Sequence, residues 1–70
     1  MANIDMFLKQ VGSKIKAARL AQGISQEKLC ERLPIRANAL SKIETGQVNL
    51  YLGSLKAIAE ALGADIKEFL

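Results

Sequence analysis

The sequence feature that most constrains the fold is the stretch at 25–45, SQEKLCERLPIRANALSKIET. Its apolar residues recur at helical spacing on both sides of Pro34, which indicates two short helices separated by a tight break. Proline has no backbone N–H and disfavours helical geometry at the residue before it, so the first helix must end here. Leu29, Cys30 and Leu33 share the inner face of that first helix.

The second of these helices, at about 37–45, has two faces of opposite character. Ala39, Leu40 and Ile43 form an apolar stripe that anchors the helix on a core, and Gly46 ends the helix. The outer face is small or polar throughout, and its residues are Asn38, Ser41, Lys42 and Thr45. Because a polar face held outward is suited to recognition, we interpret the rest of the chain as the scaffold for this helix.

Amphipathic helices are predicted on both sides of this stretch. One covers 4–22, and Gly23 ends it in the left-handed geometry that glycine adopts at low cost. The other covers 52–62 and ends at Gly63. Apolar residues in each recur at three- and four-residue intervals, which is the period of a helix with one buried face.

The end of the chain carries a further helix signal. Asp65 and Glu68 have the spacing of a capping box, which predicts a last turn or short helix at 66–70. No segment alternates between apolar and polar residues as a strand does. The sequence therefore predicts an all-α fold of about five helices, formed as a single domain over 1–70.

Composition excludes several classes of function. The chain has one cysteine and no histidine, so an internal disulfide, a zinc site and histidine-based catalysis are all excluded. No carboxylate pair, nucleophile–base set or glycine-rich phosphate loop stands out, and we expect neither an enzyme nor a bound cofactor or small-molecule ligand. Apolar runs are too short to span a membrane, and no signal peptide is apparent, so a cytoplasmic location is expected.

The net charge of +3 is unevenly distributed. The basic excess lies in the first two thirds of the chain, around the polar-faced helix, whereas the last third is slightly acidic. This distribution fits a surface that faces phosphates, although ordinary surface charge is the simpler interpretation of so small a value.

Three segments carry a family resemblance: IKAARLAQGISQEKL, ALSKIETG and SLKAIAEALGADIKEF. Together they make residues 12–69 similar to the Cro/CI-type, lambda-repressor-like helix-turn-helix domain of the XRE family. The resemblance implies a compact five-helix domain, with a helix-turn-helix at about 25–45, whose third helix enters the major groove of DNA. It also implies that an ion pair between Arg19 and Glu44 ties the first helix to the third.

The resemblance assigns DNA contacts position by position. The residues expected to face base edges or nearby phosphates are Ala37, Asn38, Ser41 and Lys42. Those expected to meet the DNA backbone are Gln26, Thr45, Gln47 and Asn49, with Arg36 free to reach a phosphate. Ala37 offers only contact with a thymine methyl group, so direct readout depends chiefly on the polar residues.

Five positions depart from the family pattern. Pro34 stands where the turn normally has glycine, and since proline cannot take a positive φ, we expect the turn to follow a different path. Cys30 replaces a small alanine, and we interpret it as a buried small hydrophobe. Arg36 replaces a Ser or Thr cap, and Leu50 and Tyr51 replace a Pro-Ser pair.

The predicted function is that of a sequence-specific transcription regulator that binds double-stranded DNA as a homodimer in the cytoplasm, at the nucleoid. A chain of this kind resembles a stand-alone Cro-like repressor or a restriction–modification controller protein. Two alternatives remain: an antitoxin of the same fold, and a protein-interaction module that does not read bases. A protein-binding face should carry exposed apolar anchors, which the third helix lacks, so DNA is favoured.

Apolar residues in the last third predict the dimer interface. A small core does not need all of them, and this part of the chain is the least basic, so it can face away from phosphates. The predicted interface consists of Leu50, Tyr51, Leu52, Phe69 and Leu70. The competing interpretation is that the last two of these residues close the core of the monomer.

Overall fold

The computed structural model describes residues 4–70, and every regular element in that range is helical. There are four α-helices and one 3-10 helix within the described range, so the expectation of five α-helices is corrected at the last element. The elements are α1 (Ile4–Ala21), α2 (Gln26–Cys30), α3 (Ala37–Glu44), α4 (Leu52–Ala61) and a C-terminal 3-10 helix (Ile66–Phe69).

The first helix supplies one side of the core. Val11 and Ile15 are buried on its inner face, one turn apart, as the apolar period predicts. The helix ends at Ala21, and Gly23 follows with a φ of 68°, the left-handed geometry of a glycine C-cap. Asp5 in the first turn and Arg19 in the last turn complement the helix dipole.

The second helix begins at a side-chain cap and is shorter than predicted. The Ser25 hydroxyl accepts a hydrogen bond from the Lys28 backbone N–H at 3.0 Å, which satisfies one of the free donors of the first turn. The helix ends at Cys30, because the N–H groups of Arg32 and Leu33 bond to carbonyls three residues back rather than four. Leu33 therefore lies in the turn, although Leu29 and Leu33 do face the core as expected.

The turn between α2 and α3 contains no positive φ among its residues, since only glycines take such values in the described range. Pro34 is accommodated there in irregular backbone at 33–36. Arg36 then forms the N-cap of α3 in extended geometry and makes no side-chain capping bond, as its replacement of Ser or Thr suggests.

The last two elements close the fold. Gly46 and Gly63 follow α3 and α4 with φ values of 73° and 67°, so both predicted stops are present. Asp65 and Glu68 form the predicted capping box, with the Asp65 backbone N–H donating to the Glu68 carboxylate at 2.8 Å. The turn that it starts is a 3-10 helix of four residues, because the N–H groups of Glu68 and Leu70 bond to carbonyls three residues back rather than four.

One hydrophobic core joins all five elements. α3 packs against both α1 and α2, and the 3-10 helix packs against α1 and α4. The helix-turn-helix pair is therefore held from behind by α1, while the outer face of α3 stays free. The buried apolar residues of the core are Val11, Ile15, Leu29, Leu40, Ile43, Leu55, Ile58, Ala59, Leu62 and Phe69.

Two glycines allow the chain around the end of α3 to approach α1 closely. A Cβ at Gly12 would lie 2.6 Å from the carbonyl oxygen of Glu44 and closer still to that of Ile43. A Cβ at Gly46 would lie 2.8 Å from the backbone of Lys9. Because real Cβ atoms do not come so near to backbone atoms, both positions require glycine, and the position of α3 on the scaffold depends on them.

Within residues 4–70, no helix is both long and apolar enough to cross a membrane. The same range contains no group of three or more cysteine or acidic side chains placed to hold a metal ion.

Candidate nucleic-acid interface

The outer face of α3 is presented to solvent as the sequence predicts. Asn38 and Lys42, one turn apart, are exposed, while Ala37 and Ser41 on the same face are half-buried. Leu40 and Ile43 on the opposite side are buried in the core. α3 is thus rigidly anchored, and the side chains of its outer face extend away from the molecule.

An open pocket adjoins this face on the side of α4. Its volume is about 270 Å³, and Asn38 and Lys42 of α3 form one wall. Asn49 from the loop after α3, with Tyr51 and Ser54 at the start of α4, form the other. The structure therefore brings together two of the predicted base-reading residues and one predicted backbone contact around a single concave surface.

The end of α3 is closed by hydrogen bonds between its own side chains and backbone. The Thr45 hydroxyl donates to the Ser41 carbonyl at 2.9 Å, and the Gln47 amide donates to the Thr45 oxygen at 2.8 Å. A hydroxyl has only one proton, so Thr45 has no donor left for a phosphate in this arrangement. Gln47 keeps a second N–H, so it is better suited than Thr45 to donate a hydrogen bond to a DNA phosphate.

A buried ion pair connects α1 to α3. The Arg19 guanidinium donates from Nε to Glu44 Oε2 at 2.8 Å and from Nη2 to Glu44 Oε1 at 3.1 Å, so the predicted pair is present and bidentate. Both residues are buried, at 6% and 5% exposure. The third donor, Nη1, bonds to the Ile24 carbonyl at 2.8 Å, ahead of α2.

The hydrogen bonds to Glu44 raise the pKa of Arg19 above its ordinary value, against the opposing effect of burial. The guanidinium therefore keeps its charge in the folded protein. Burial also raises the pKa of the Cys30 thiol, and the negative charge of Glu44 adds to the effect. Cys30 is half-buried against the core rather than fully buried as expected, and its protonated thiol fits the role of a small hydrophobe there.

Gln26, which is predicted to contact the DNA backbone, is hydrogen-bonded to the carboxylate of Glu44. Its side-chain amide donates from Nε2 to Glu44 Oε1 at 3.0 Å, and the residue is half-buried at the first position of α2. No sequence pattern indicates this bond, because a carboxylate late in α3 and an amide at the start of α2 become neighbours only after the two helices pack.

The predicted dimer residues separate into two groups. Phe69 is only 2% exposed and belongs to the core, so its side chain is not available to a second chain, and that part of the prediction is corrected. Tyr51, Leu52 and Leu70 are exposed, and Leu50 is half-buried.

Three of the remaining interface residues border an apolar groove of about 90 Å³. The groove lies between the start of α1, the loop before α4 and the chain end, and its lining residues are Phe7, Leu8, Val11, Leu50, Leu52, Leu55 and Leu70. Phe7 and Ile4 add exposed apolar surface beside it, and these two residues belong to the apolar start of the first helix.

Sequence reasoning missed two side chains that fix the end of α4, one from the turn after α1 and one from the turn after α2. Gln22 donates to the Leu62 carbonyl at 2.6 Å, and Arg32 donates to the Ala61 carbonyl at 3.0 Å. Both satisfy carbonyls that the end of a helix leaves free. Sequence reasoning also missed the close packing at Gly12. It could have been predicted, because an isolated glycine inside a helical pattern indicates a close packing contact.

Comparisons with known proteins agree with this geometry. A family model described as helix-turn-helix matches residues 15–69. Two uncharacterised HTH-type transcriptional regulators, from Rickettsia conorii and Rickettsia prowazekii, are each 38% identical to the chain over 66 residues, or 94% of its length. The match covers 50% and 48% of those proteins, so the chain spans about half the length of the curated relatives it matches.

Among solved structures, the chain is similar to the restriction-modification controller protein C.AhdI from Aeromonas hydrophila. The TM-score is 0.92 at 26% identity, over 99% of this chain and 100% of that one. The DNA-binding domain of BldD gives 0.87 at 26% identity, over 100% and 99%. The clp gene regulator ClgR from C. glutamicum, at 20% identity, shares the fold with a TM-score of 0.85 over 99% and 86%.

The high similarity to C.AhdI bears on the turn before α3. Pro34 was expected to alter the path of the turn, which could have tilted α3. A TM-score of 0.92 over nearly the whole chain means that the helices keep the same overall arrangement. The family and the fold are those of DNA-binding transcription regulators and not of enzymes.

Proposed function

Because the chain belongs to the helix-turn-helix family, we propose that it is a sequence-specific regulator of transcription that binds double-stranded DNA as a homodimer. In this proposal α3 lies in the major groove, which is wide enough to admit an α-helix. The observation that carries it is the anchored α3 with its exposed polar face, in a chain whose relatives are named as transcriptional regulators.

Base readout is assigned to the outer face of α3. Asn38 pairs bidentately with adenine, and Lys42 reaches guanine or a neighbouring phosphate. Ser41 is half-buried and contacts either class of base through its hydroxyl, while Ala37 meets a thymine methyl group. The exposure of Asn38 and Lys42, one turn apart, supports this order of importance.

Backbone contacts on either side of α3 fix its register in the groove. Gln26 at the start of α2 contacts one strand, and Gln47 and Asn49 contact the other, with Arg36 as an additional cation. Thr45 acts indirectly, because its hydroxyl positions the Gln47 amide. The basic excess of this part of the chain supports the attraction to phosphate.

The homodimer forms through the apolar groove and the exposed residues beside it. Leu50, Leu52 and Leu70 border the groove, and Tyr51 is the most exposed of the large apolar residues. One recognition helix contacts too few base pairs to select a site in a genome, whereas two helices about 34 Å apart read two half-sites one DNA turn apart. A second copy of the chain is therefore the occupant that the function requires.

The alternative of a protein-interaction module has less support. Such modules bind through buried aromatic or aliphatic anchors, whereas the exposed members of the α3 face, Asn38 and Lys42, are polar. Three of the exposed apolar residues, Phe7, Leu52 and Leu70, line the groove instead, on a surface that suits the second copy.

The proposal is tested by selecting sequences from a random duplex library with the purified chain. We expect enrichment of one sequence with two-fold symmetry, whose half-sites are one helical turn apart between their centres. A library that stays random after repeated rounds, at a salt concentration where the chain still retains duplex, contradicts sequence-specific recognition. An enriched site without symmetry contradicts the homodimer alone.

A further inference from the structure

Three elements of the fold meet at one buried carboxylate. Glu44, the last residue of α3, accepts hydrogen bonds from Arg19 of α1 and from Gln26 of α2. Its side chain is 1% exposed. An ion pair with Arg19 would suffice to hold α1 against α3, so the bond to Gln26 needs a separate explanation.

We propose that Glu44 is a positioning residue for DNA binding, which holds the Gln26 amide so that its free N–H faces a DNA phosphate. The inference rests on the proposed function, in which Gln26 contacts the backbone. It assigns to Glu44 a role beyond the ion pair, and it links the backbone contact on α2 directly to the end of the recognition helix.

The chemistry of the two groups permits only one orientation of the amide. An ionised carboxylate can accept hydrogen bonds but cannot donate them, and a glutamine amide has donors on one side only. The bond from Gln26 Nε2 to Glu44 Oε1 is 3.0 Å long. A rotated amide would place its carbonyl oxygen against the carboxylate oxygen, which is repulsive, so Glu44 selects the orientation in which nitrogen faces inward.

This orientation leaves one N–H of the amide unused. The group carries two protons on Nε2, and only one is directed at Glu44. Gln26 is only half-buried at the first position of α2, and its second N–H has no acceptor among the described residues. A hydrogen bond from this N–H to an ionised phosphate oxygen is of the strong, charge-assisted kind, and it forms without an ordering cost because the amide is already held.

Glu44 is itself held by Arg19, whose bidentate contact fixes both carboxylate oxygens. Arg19 also donates to the Ile24 carbonyl, which lies two residues before Gln26. The guanidinium thus orients the carboxylate and the chain segment that leads into α2. Positioning of the Gln26 amide follows from this arrangement rather than from contacts of Gln26 alone.

A double-mutant cycle in DNA affinity distinguishes positioning from a merely structural role. The variants are Gln26→Ala, Glu44→Gln and the pair together, measured by fluorescence anisotropy with a labelled duplex of arbitrary sequence at low ionic strength. Arbitrary sequence is sufficient because a backbone contact acts on every duplex. Circular dichroism establishes the temperature below which all variants are folded, and affinities are compared there.

We expect each single variant to bind about tenfold more weakly, as for loss of one hydrogen bond to a charged group. The double variant should bind no more than about twofold more weakly than the weaker single variant, since both changes remove the same contact. Gln22→Ala is the matched control: its amide also bonds to another element, at the Leu62 carbonyl, and its loss should leave affinity unchanged.

Losses that multiply to about a hundredfold in the double variant would overturn the inference, because independent effects add in free energy. Unchanged affinity of Gln26→Ala would overturn it as well, while leaving DNA binding by the chain intact. A wild-type chain that binds no duplex contradicts the proposed function and the inference together. If Glu44→Gln does not fold, Glu44→Asp takes its place in the cycle, since it keeps the charge and withdraws the acceptor from Gln26.

Discussion

At the scale of single residues, the buried charges of Arg19 and Glu44 have the largest energetic consequence. Two charges removed from water are tolerated because the contact is bidentate and the remaining nitrogen of Arg19, Nη1, donates to the Ile24 carbonyl. No buried side-chain polar atom of the described residues lacks a partner. Removing one member of the pair therefore leaves the other as an uncompensated charge in the core.

Glu44→Ala should destabilise the fold by roughly 3–5 kcal/mol, the usual cost of breaking a buried pair. At about 4–8 °C per kcal/mol for a small domain, the melting temperature should fall by at least about 12 °C. Glu60→Ala is the control, because Glu60 is an exposed glutamate on α4 and its removal should change stability by no more than about 0.5 kcal/mol. Equal melting temperatures of the two variants, by calorimetry, would show that the pair contributes nothing.

At the scale of elements, the contact between α1 and the end of α3 sets the position of α3 on the scaffold. The two backbones approach so closely at Gly12 that a side chain would meet the carbonyls of Ile43 and Glu44. A helix-interior glycine costs about 1 kcal/mol relative to alanine, and the close packing offsets that cost.

Gly12→Ala should therefore destabilise the protein by about 1–3 kcal/mol, as overpacking does, although alanine is the better helix former. Gly53→Ala in α4 is the matched control, because a Cβ there meets no atom within 4 Å and the residue has no positive φ. It should be neutral or stabilising by up to about 1 kcal/mol. Urea denaturation of both variants measures the difference, and a Gly12 variant as stable as the wild type would contradict the packing account.

Most of the helix starts and ends could be predicted from the sequence, because the residues that signal them act locally. Ser25, Asp65 and the glycines after α1, α3 and α4 act within one turn of their own position, so these starts and stops could be identified without tertiary information. The length of α2 was overestimated, since apolar spacing at Leu33 continues past the last true helical bond. The spacing of apolar residues alone does not distinguish the last α-helical turn from a 3-10 turn that follows it.

Contacts between residues far apart in the sequence were harder to predict. Phe69 lies on an amphipathic last turn, and an apolar pattern does not say whether its face covers the monomer core or a second chain. The bond between Gln26 and Glu44 joins residues 18 positions apart and depends on the angle between two helices. The Arg19–Glu44 pair was predicted only because the family resemblance supplied it.

At the scale of the whole molecule, the two proposed functional surfaces adjoin at the loop before α4, because Leu50 lines both the pocket beside α3 and the apolar groove. The polar face of α3 and the pocket beside it contain Asn38, Lys42 and Asn49. The apolar groove is formed by the start of α1, the loop before α4 and the chain end, where the sequence is least basic. No residue of α3 lines the groove, so in the proposed dimer a second copy that occupies it leaves both α3 helices free for DNA.

Leu52→Glu should shift the chain from dimer to monomer and weaken binding to its selected site, because a charge would be buried in the interface. Leu20→Glu is the matched control: Leu20 is 56% exposed and Leu52 66%, but Leu20 does not border the groove. Sedimentation equilibrium at micromolar concentration compares the two. A wild-type chain that remains monomeric both free and on its DNA contradicts the homodimer.

The central claim is that the face of α3 reads bases, and Asn38→Ala tests it most directly. Affinity is measured for the wild type and the variant on the selected duplex and on a scrambled duplex of the same composition, at one salt concentration. We expect the wild type to prefer the selected duplex by at least about 10³-fold, and the variant to lose about 1–3 kcal/mol on that duplex alone. Equal losses on both duplexes, or no preference by the wild type, would contradict the claim.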